Sequence, residues 1–182
     1  MILKIVQAGH PALRQQARPL TVDEIRGPQV QQLIEMMRET MRDAPGVGLA
    51  APQVGLPLQL AVIEDPPEYL AHLSPQALAE RQREPVPFHV IVNPHMRLVD
   101  GPTADFYEGC LSVAGYSALV RRALAVEVEA LNERGEPVRI AARGWYARIL
   151  QHEIDHLGGH LYIDRMDTRT FATSENLGRW GR

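Results

Sequence analysis

A single cysteine, Cys110, stands in a chain of 182 residues, so no internal disulfide framework exists and the one thiol needs its own explanation. No uninterrupted apolar run reaches the roughly 18–20 residues that cross a bilayer. The first twenty residues interleave Lys4, His10, Arg14 and Arg18 with apolar ones and lack a long hydrophobic segment ending in a cleavage site. Secretion and membrane insertion are therefore not expected, and a cytoplasmic location is. There is no basic surplus either: 19 Lys+Arg against 22 Asp+Glu leave a formal charge of −3, which argues against nucleic acid as a specific partner. Internal repeats and low-complexity tracts are absent. What remains is 45% hydrophobic, enough for a sizeable core. One domain over residues 1–182 is expected.

Along the chain, Val30, Leu33, Ile34, Met37 and Met41 fall on one stripe of a helix over Gln29 to Asp43, opened by Pro28 and ended by Ala44-Pro45-Gly46. Leu58 to Ile63 and Phe88 to Val92 read as short buried strands, the second closed by Asn93-Pro94. The Pro-flanked polar stretch between them, 65–87, reads as a surface insertion with a helix near Pro75 to Arg83. Leu124, Val126, Val128 and Ala130 alternate, Asn132 to Gly135 supplies a turn, and Val138 and Ile140 resume the alternation: an antiparallel hairpin. Gly144 to Leu157 is apolar nearly all round and predicts an interior helix stopped by Gly158-Gly159. The polar tail from Asp164 is weakly patterned. Strands in a run with the key helix apart from them indicate an α+β fold.

The chemistry concentrates in His152-Glu153-Ile154-Asp155-His156. On a helix His152 and His156 lie about 40° apart around the axis and one turn apart along it, so both imidazoles reach one metal. Glu153 projects about 100° from His152, beside the metal, where a general base for a bound water belongs. A catalytic metal needs a third protein ligand and one open position. His160 lies past the Gly158-Gly159 break. The long metalloprotease pattern would place a histidine where Tyr162 stands. Glu175 has a workable count, but its surroundings read as a fraying tail. Cys110, within Tyr107-Glu108-Gly109-Cys110-Leu111-Ser112-Val113, is by default an inert buried thiol. Beside a histidine helix it becomes the best third ligand, and a thiolate favours borderline metals such as iron(II) or zinc. Gly46 to Gly55 is rich in small residues and holds one amide, Gln53, able to donate to a developing oxyanion. It lacks the Lys-Ser/Thr pair of a phosphate loop.

Taken together, Gly46-Val47-Gly48-Leu49-Ala50-Ala51-Pro52-Gln53, Glu108-Gly109-Cys110-Leu111-Ser112 and Gln151-His152-Glu153-Ile154-Asp155-His156 resemble the three motifs of peptide deformylases, in order and spacing. The likeness runs from Ile2-Leu3-Lys4-Ile5 to Gly144-Trp145 and Gly159. The segment before Phe88, the Gly144-Trp145 entry and the Met166 to Phe171 stretch are similar to the mitochondrial and plastid subgroup, and the lack of a transit peptide points to a bacterial member or a mature form. The resemblance implies antiparallel sheets around a buried central helix carrying both histidines. It implies Cys110, His152 and His156 as metal ligands, Glu153 as acid–base, and Gln53 with the backbone amide of Leu111 as oxyanion donors. Val47, Gly48 and Gly109 would bond the substrate backbone, and Trp145, Ile149 and His152 would line the methionine pocket. The implied reaction removes formyl from N-formylmethionyl nascent peptides, releasing formate. Iron(II) is the expected native metal, with zinc, nickel or cobalt as alternatives. Transient ribosome contact and a monomeric or homodimeric state are further expectations. Three positions depart from the pattern: Ala114 and Arg121 stand where proline is usual, and Ser117 where many bacterial members have arginine.

Overall fold

In a computed structural model the described residues are 1–180. Helix α1 (Val22–Arg26) is opened by a capping box in which Thr21 and Glu24 satisfy each other's backbone amides. Helix α2 (Pro28–Asp43) buries Val30, Leu33, Ile34, Met37 and Met41, the stripe read from the sequence. There follow β1 (Gly48–Ala50), β2 (Leu60–Asp65), the short helices α3 (Pro67–Leu70) and α4 (Pro75–Arg81), and β3 (Val86–Leu98). Then come β4 (Thr103–Cys110), β5 (Val113–Ala123), β6 (Ala125–Leu131) and β7 (Pro137–Arg143). Helix α5 (Gly144–Leu157), the two-residue β8 (Ala172–Thr173) and α6 (Ser174–Trp180) complete the described residues.

The strands form two antiparallel sheets, one ordered β1-β2-β3-β6-β7 and the other β4-β5-β8. The α+β class expected from the sequence is the observed one. Strand periodicity decides how the larger sheet is covered. Ala61, Ile63 and Ile91 pack with Ala147, Ile149 and Leu150 of α5. Their neighbours Leu60, Val62, Val90 and Val92 join Leu33, Ile34 and Met37 of α2. Successive side chains point to opposite faces, so the segments Leu60 to Ile63 of β2 and Val90 to Val92 of β3 are buried on both and read as unbroken apolar runs. The hairpin β6–β7 instead has one wet face, where Glu129 pairs with Arg139 at 3.1 Å.

The strand read from Leu58 begins at Leu60 and the helix read to Arg83 ends at Arg81, and three stretches differ more from the sequence reading. Strand β3 does not stop at Asn93-Pro94 but continues to Leu98 through a bulge between Val92 and His95. Asn93 adopts φ +49° and bonds the backbone of Leu20 through both amide atoms, at 2.9 and 2.7 Å. Asn tolerates the left-handed region, and Pro94 tolerates a bulge because no ladder N–H is required there. The hairpin β4–β5 was not legible, because inward positions on it carry charge: Glu108 and Arg122 are both 5% exposed. The tail around Glu175 is helical in α6 rather than frayed.

Candidate metal and catalytic site

Two elements meet at the site. The β4–β5 pairing shifts register between Gly109 and Cys110, so Gly109 faces Ser117 while Cys110 faces Val113 across a tight turn. Such a bulge re-aims a side chain, and here it turns Cys110 toward α5. On α5, His152 and His156 are four residues apart, with ring centroids 4.9 Å apart. Cys110 Sγ lies 3.3 Å from His156 Nε2. One donor atom from each of Cys110, His152 and His156 falls within 4.8 Å of the others. Neither His160 nor Glu175 belongs to this cluster, and Glu175 is on the surface 3.7 Å from Arg179.

Those three residues could hold a metal ion. Nδ1 of His152 is 3.1 Å from Glu108 Oε2, which leaves Nε2 free to ligate and supplies the carboxylate behind the imidazole that metal-binding histidines usually have. Burial works against a charged His152, yet Cys110 and Glu108 hold its pKa well above the ordinary value. Burial pushes His156 well below it. A thiol and two imidazoles within reach of one another are a donor set that suits a borderline divalent cation.

Glu153 is 4% exposed, and its Oε2 has no hydrogen-bond partner. Burial pushes its carboxyl up to about 7, with the nearby His152 pulling the other way. A base poised near neutrality is well matched to taking and returning a proton. Gln53, buried in the turn after β1, accepts from the Ala50 N–H through Oε1 at 2.8 Å. Its Nε2 is thereby directed to Cys110 Sγ at 3.5 Å and Ser112 Oγ at 3.4 Å.

A cavity of about 460 Å³ opens over these groups, lined by Val47, Gly48, Gln53, Gly109, Cys110, Leu111, Trp145, Ile149, His152 and Glu153. Of the expected site residues only His156 is not part of its wall, being fully buried behind Cys110. Ser117 and Tyr116 reach the same rim, and Tyr116 stacks on Phe171 with centroids 5.0 Å apart. Strand β1 ends the five-stranded sheet, so the cavity runs beside a sheet edge.

Motif reading missed the charged frame behind the Cys/His cluster. Glu108 receives Arg122 through two nitrogens at 3.0 Å each and Arg148 Nη1 at 2.5 Å. Arg122 also reaches Asp155 at 2.5 Å, and Arg165 closes on Asp155 at 2.7 and 2.8 Å. Although burial opposes it, His152 and Arg122 hold the Glu108 carboxyl far below the usual carboxylate range. One signal was available: Arg148 precedes His152 by four residues on an otherwise apolar helix, and a buried arginine requires a carboxylate.

Fold and donor set together define an α+β protein whose Cys/His cluster is reached by solvent from a cleft. The Polypeptide deformylase family model matches residues 2–172. A chloroplastic peptide deformylase 1A of Solanum lycopersicum is 47% identical over 95% of this chain and 62% of its own length. Peptide deformylase 3 of Streptomyces avermitilis is 47% identical over 99% of this chain and 79% of its own. A crystal structure of Acinetobacter baumannii class I type b peptide deformylase with bound Met-Ala-Ser has a TM-score of 0.80 at 32% identity, covering 91% and 99% of the two chains. The chain belongs to the polypeptide deformylase family.

Proposed function

We propose that this chain removes the formyl group from N-formylmethionyl peptides, releasing formate. The observation that carries the reading is convergence: a thiol, the His152 imidazole, a buried carboxyl and an oriented amide N–H line one cleft beside a sheet edge, with the His156 imidazole directly behind the thiol. Cys110, His152 and His156 would hold the divalent ion, iron(II) in the cell with zinc, nickel or cobalt as substitutes, and it would acidify a coordinated water and polarise the formyl carbonyl. Glu153 takes the proton of the attacking water and later returns it to the leaving amine, the task for which a carboxyl raised to about 7 is suited. Gln53 Nε2 and the Leu111 N–H donate to the carbonyl oxygen as it gains charge.

An extended peptide adds alongside β1, bonding Val47, Gly48 and Gly109, in the manner of strand addition. Trp145, Ile149 and His152 receive the methionine side chain. A Met-Ala-Ser peptide in the Acinetobacter relative supports a substrate that begins with methionine. A formyl group carries hydrogen where acetyl carries methyl, which suits a cramped cleft. Residues 1–182 act as one catalytic domain on nascent chains in the cytoplasm, as monomer or homodimer, with transient ribosome contact and no nucleic-acid specificity of their own. No helix among the described residues is long and apolar enough to cross a membrane.

The decisive measurement is formate release from formyl-Met peptides by anaerobically purified protein, with metal analysis of the same sample. Release with about one metal per chain is the expected result. Metal-loaded protein that yields no formate would overturn the reading.

A further inference from the structure

Between Asp65 and Val86 the chain leaves the larger sheet, and this excursion reaches back to the start of α5. The guanidinium carbons of Arg81 and Arg83 stand 5.2 and 4.7 Å from the centroid of the Trp145 ring. Arg83 is anchored: its Nε and Nη2 each lie 2.8 Å from Asp65, which is fully buried at the root of the excursion. Arg81 spans two rings, standing 4.9 Å from Phe106 as well as over Trp145. Arg148 covers Phe106 at 5.2 Å and is itself bonded to Glu108. A relay of alternating cations and rings therefore connects the excursion with the carboxylate that orients His152.

The excursion meets α5 at a second point. Gly144, the residue before Trp145, has φ +55°, and a Cβ there would collide with the Gln82 side chain and lie 2.8 Å from the Arg81 carbonyl oxygen. Gln82 also adopts the left-handed conformation, φ 48° and ψ 47°, as it closes α4. The turn is thus moulded onto the backbone that launches α5. Trp145 itself has no hydrogen bond to fix it, since its buried Nε1 lacks a partner. A buried indole N–H ordinarily finds one. Packing and the two guanidiniums are what hold the ring.

We infer that the 65–85 excursion is a positioning element for the substrate side-chain pocket, with Arg81 and Arg83 holding the Trp145 indole as its wall. This rests on the proposed function, in which Trp145 and Ile149 receive the methionine side chain. It assigns a task to a segment that composition marks only as a polar insertion. Nothing on the excursion belongs to the metal cluster or supplies the base, so its loss should weaken recognition of a long apolar side chain more than turnover.

The test uses the full chain carrying W180F, which leaves Trp145 as the sole tryptophan. In that background R81M keeps the length of the side chain and removes its charge, while R81K keeps a cation. Formyl-Met-Ala-Ser and formyl-Ala-Ala-Ser are compared, Met-Ala-Ser binding is followed by quenching of Trp145, and emission spectra are recorded. R81M should raise KM for the methionyl peptide about two- to fivefold, the effect of one cation–π contact, with kcat within about twofold. The alanyl peptide should be unaffected, the Trp145 emission should shift, and R81K should restore most of the difference. Should R81M fold poorly, D65N/R83M removes the buried pair together and should give the same pattern. Unchanged KM and emission, or equal losses for both peptides, would overturn the inference. If the parent releases no formate, the proposed function fails by itself; an R81M emission and Met-Ala-Ser affinity equal to the parent's would then separately overturn the positioning role.

Discussion

Gly48 lies directly against the carboxyl of Glu153: a Cβ built on Gly48 would overlap the carboxylate and stand 2.8 Å from Glu153 Cγ. Strand β1 thus approaches α5 as closely as an absent side chain permits, and that approach fixes where the Glu153 carboxyl points. Gly48→Ala should drive the carboxyl out of its position. Overpacking of this kind costs about 1–3 kcal/mol. Loss of a positioned acid–base typically costs about 10²–10⁴ in rate, so turnover should suffer far more than folding. Thermal melts, metal content and formate kinetics on one preparation check this. A folded, metal-loaded Gly48→Ala protein with parental kcat would show that Glu153 need not stand where it does.

Cys110 contributes the only sulfur of the cluster. In the cobalt-substituted protein it should produce an intense thiolate-to-metal absorption band, and Cys110→Ala should lose both the band and stoichiometric metal. Zinc and cobalt titrations of the two proteins give the comparison. Full metal occupancy in Cys110→Ala would remove the thiol from the ligand set.

The Glu108 carboxylate carries the charge balance behind the Cys/His cluster, facing Arg122, Arg148 and His152 at once. Glu108→Gln preserves shape but leaves two buried guanidiniums short of an anion. Removing one partner from a buried charge network costs about 3–5 kcal/mol. Metal affinity should also fall about 10- to 100-fold, because the carboxylate orienting His152 is gone. Urea unfolding and competitive chelation measure the two effects. Parental stability would mean that the arginines find other partners.

Much of this architecture was legible because apolar periodicity and burial coincide. The α2 stripe from Val30 to Met41 and the alternation from Val126 to Ile140 each name their element. The histidine pair could be placed for the same reason, since a five-residue motif on one helix needs no tertiary information. The hairpin β4–β5 was opaque because Glu108 and Arg122 occupy inward positions that pattern reading assigns to apolar residues. Their burial makes sense only with Arg148 and Asp155, which lie 40 and 33 residues away from Glu108 and Arg122 respectively. Asn93-Pro94 misled in the opposite direction: it carries a turn signal, yet the bond to Leu20 converts the turn into a bulge. Local chemistry was readable in both cases, while its partner was not.

His89 links β3 to the start of α5, and its chemistry sets a pH dependence separate from the metal site. Its Nδ1 lies 2.9 Å from the Pro87 carbonyl oxygen and its Nε2 2.9 Å from the Tyr146 hydroxyl. The neutral ring uses both nitrogens, donating to Pro87 and accepting from Tyr146, whose own pKa burial pushes up to about 12. Burial lowers the His89 pKa below 6.5, the Pro87 carbonyl only partly offsetting it. The unfolded chain therefore takes up this proton first as the pH falls. Stability from His89 is fully present above about pH 7 and is lost as pH drops through about 6.5 toward the lower folded-state value, at no more than about 1.4 kcal/mol per pH unit. Below the folded-state pKa the penalty is constant. His89→Gln keeps a polar side chain without titrating, so its unfolding free energy should decline less steeply between pH 7.5 and 5.5. Urea unfolding of both proteins at saturating zinc cancels the contribution common to His152 and His156. Parallel curves for the two would mean that His89 binds its proton equally well in the folded and unfolded chain, and the Tyr146 contact would then have no hold on its charge.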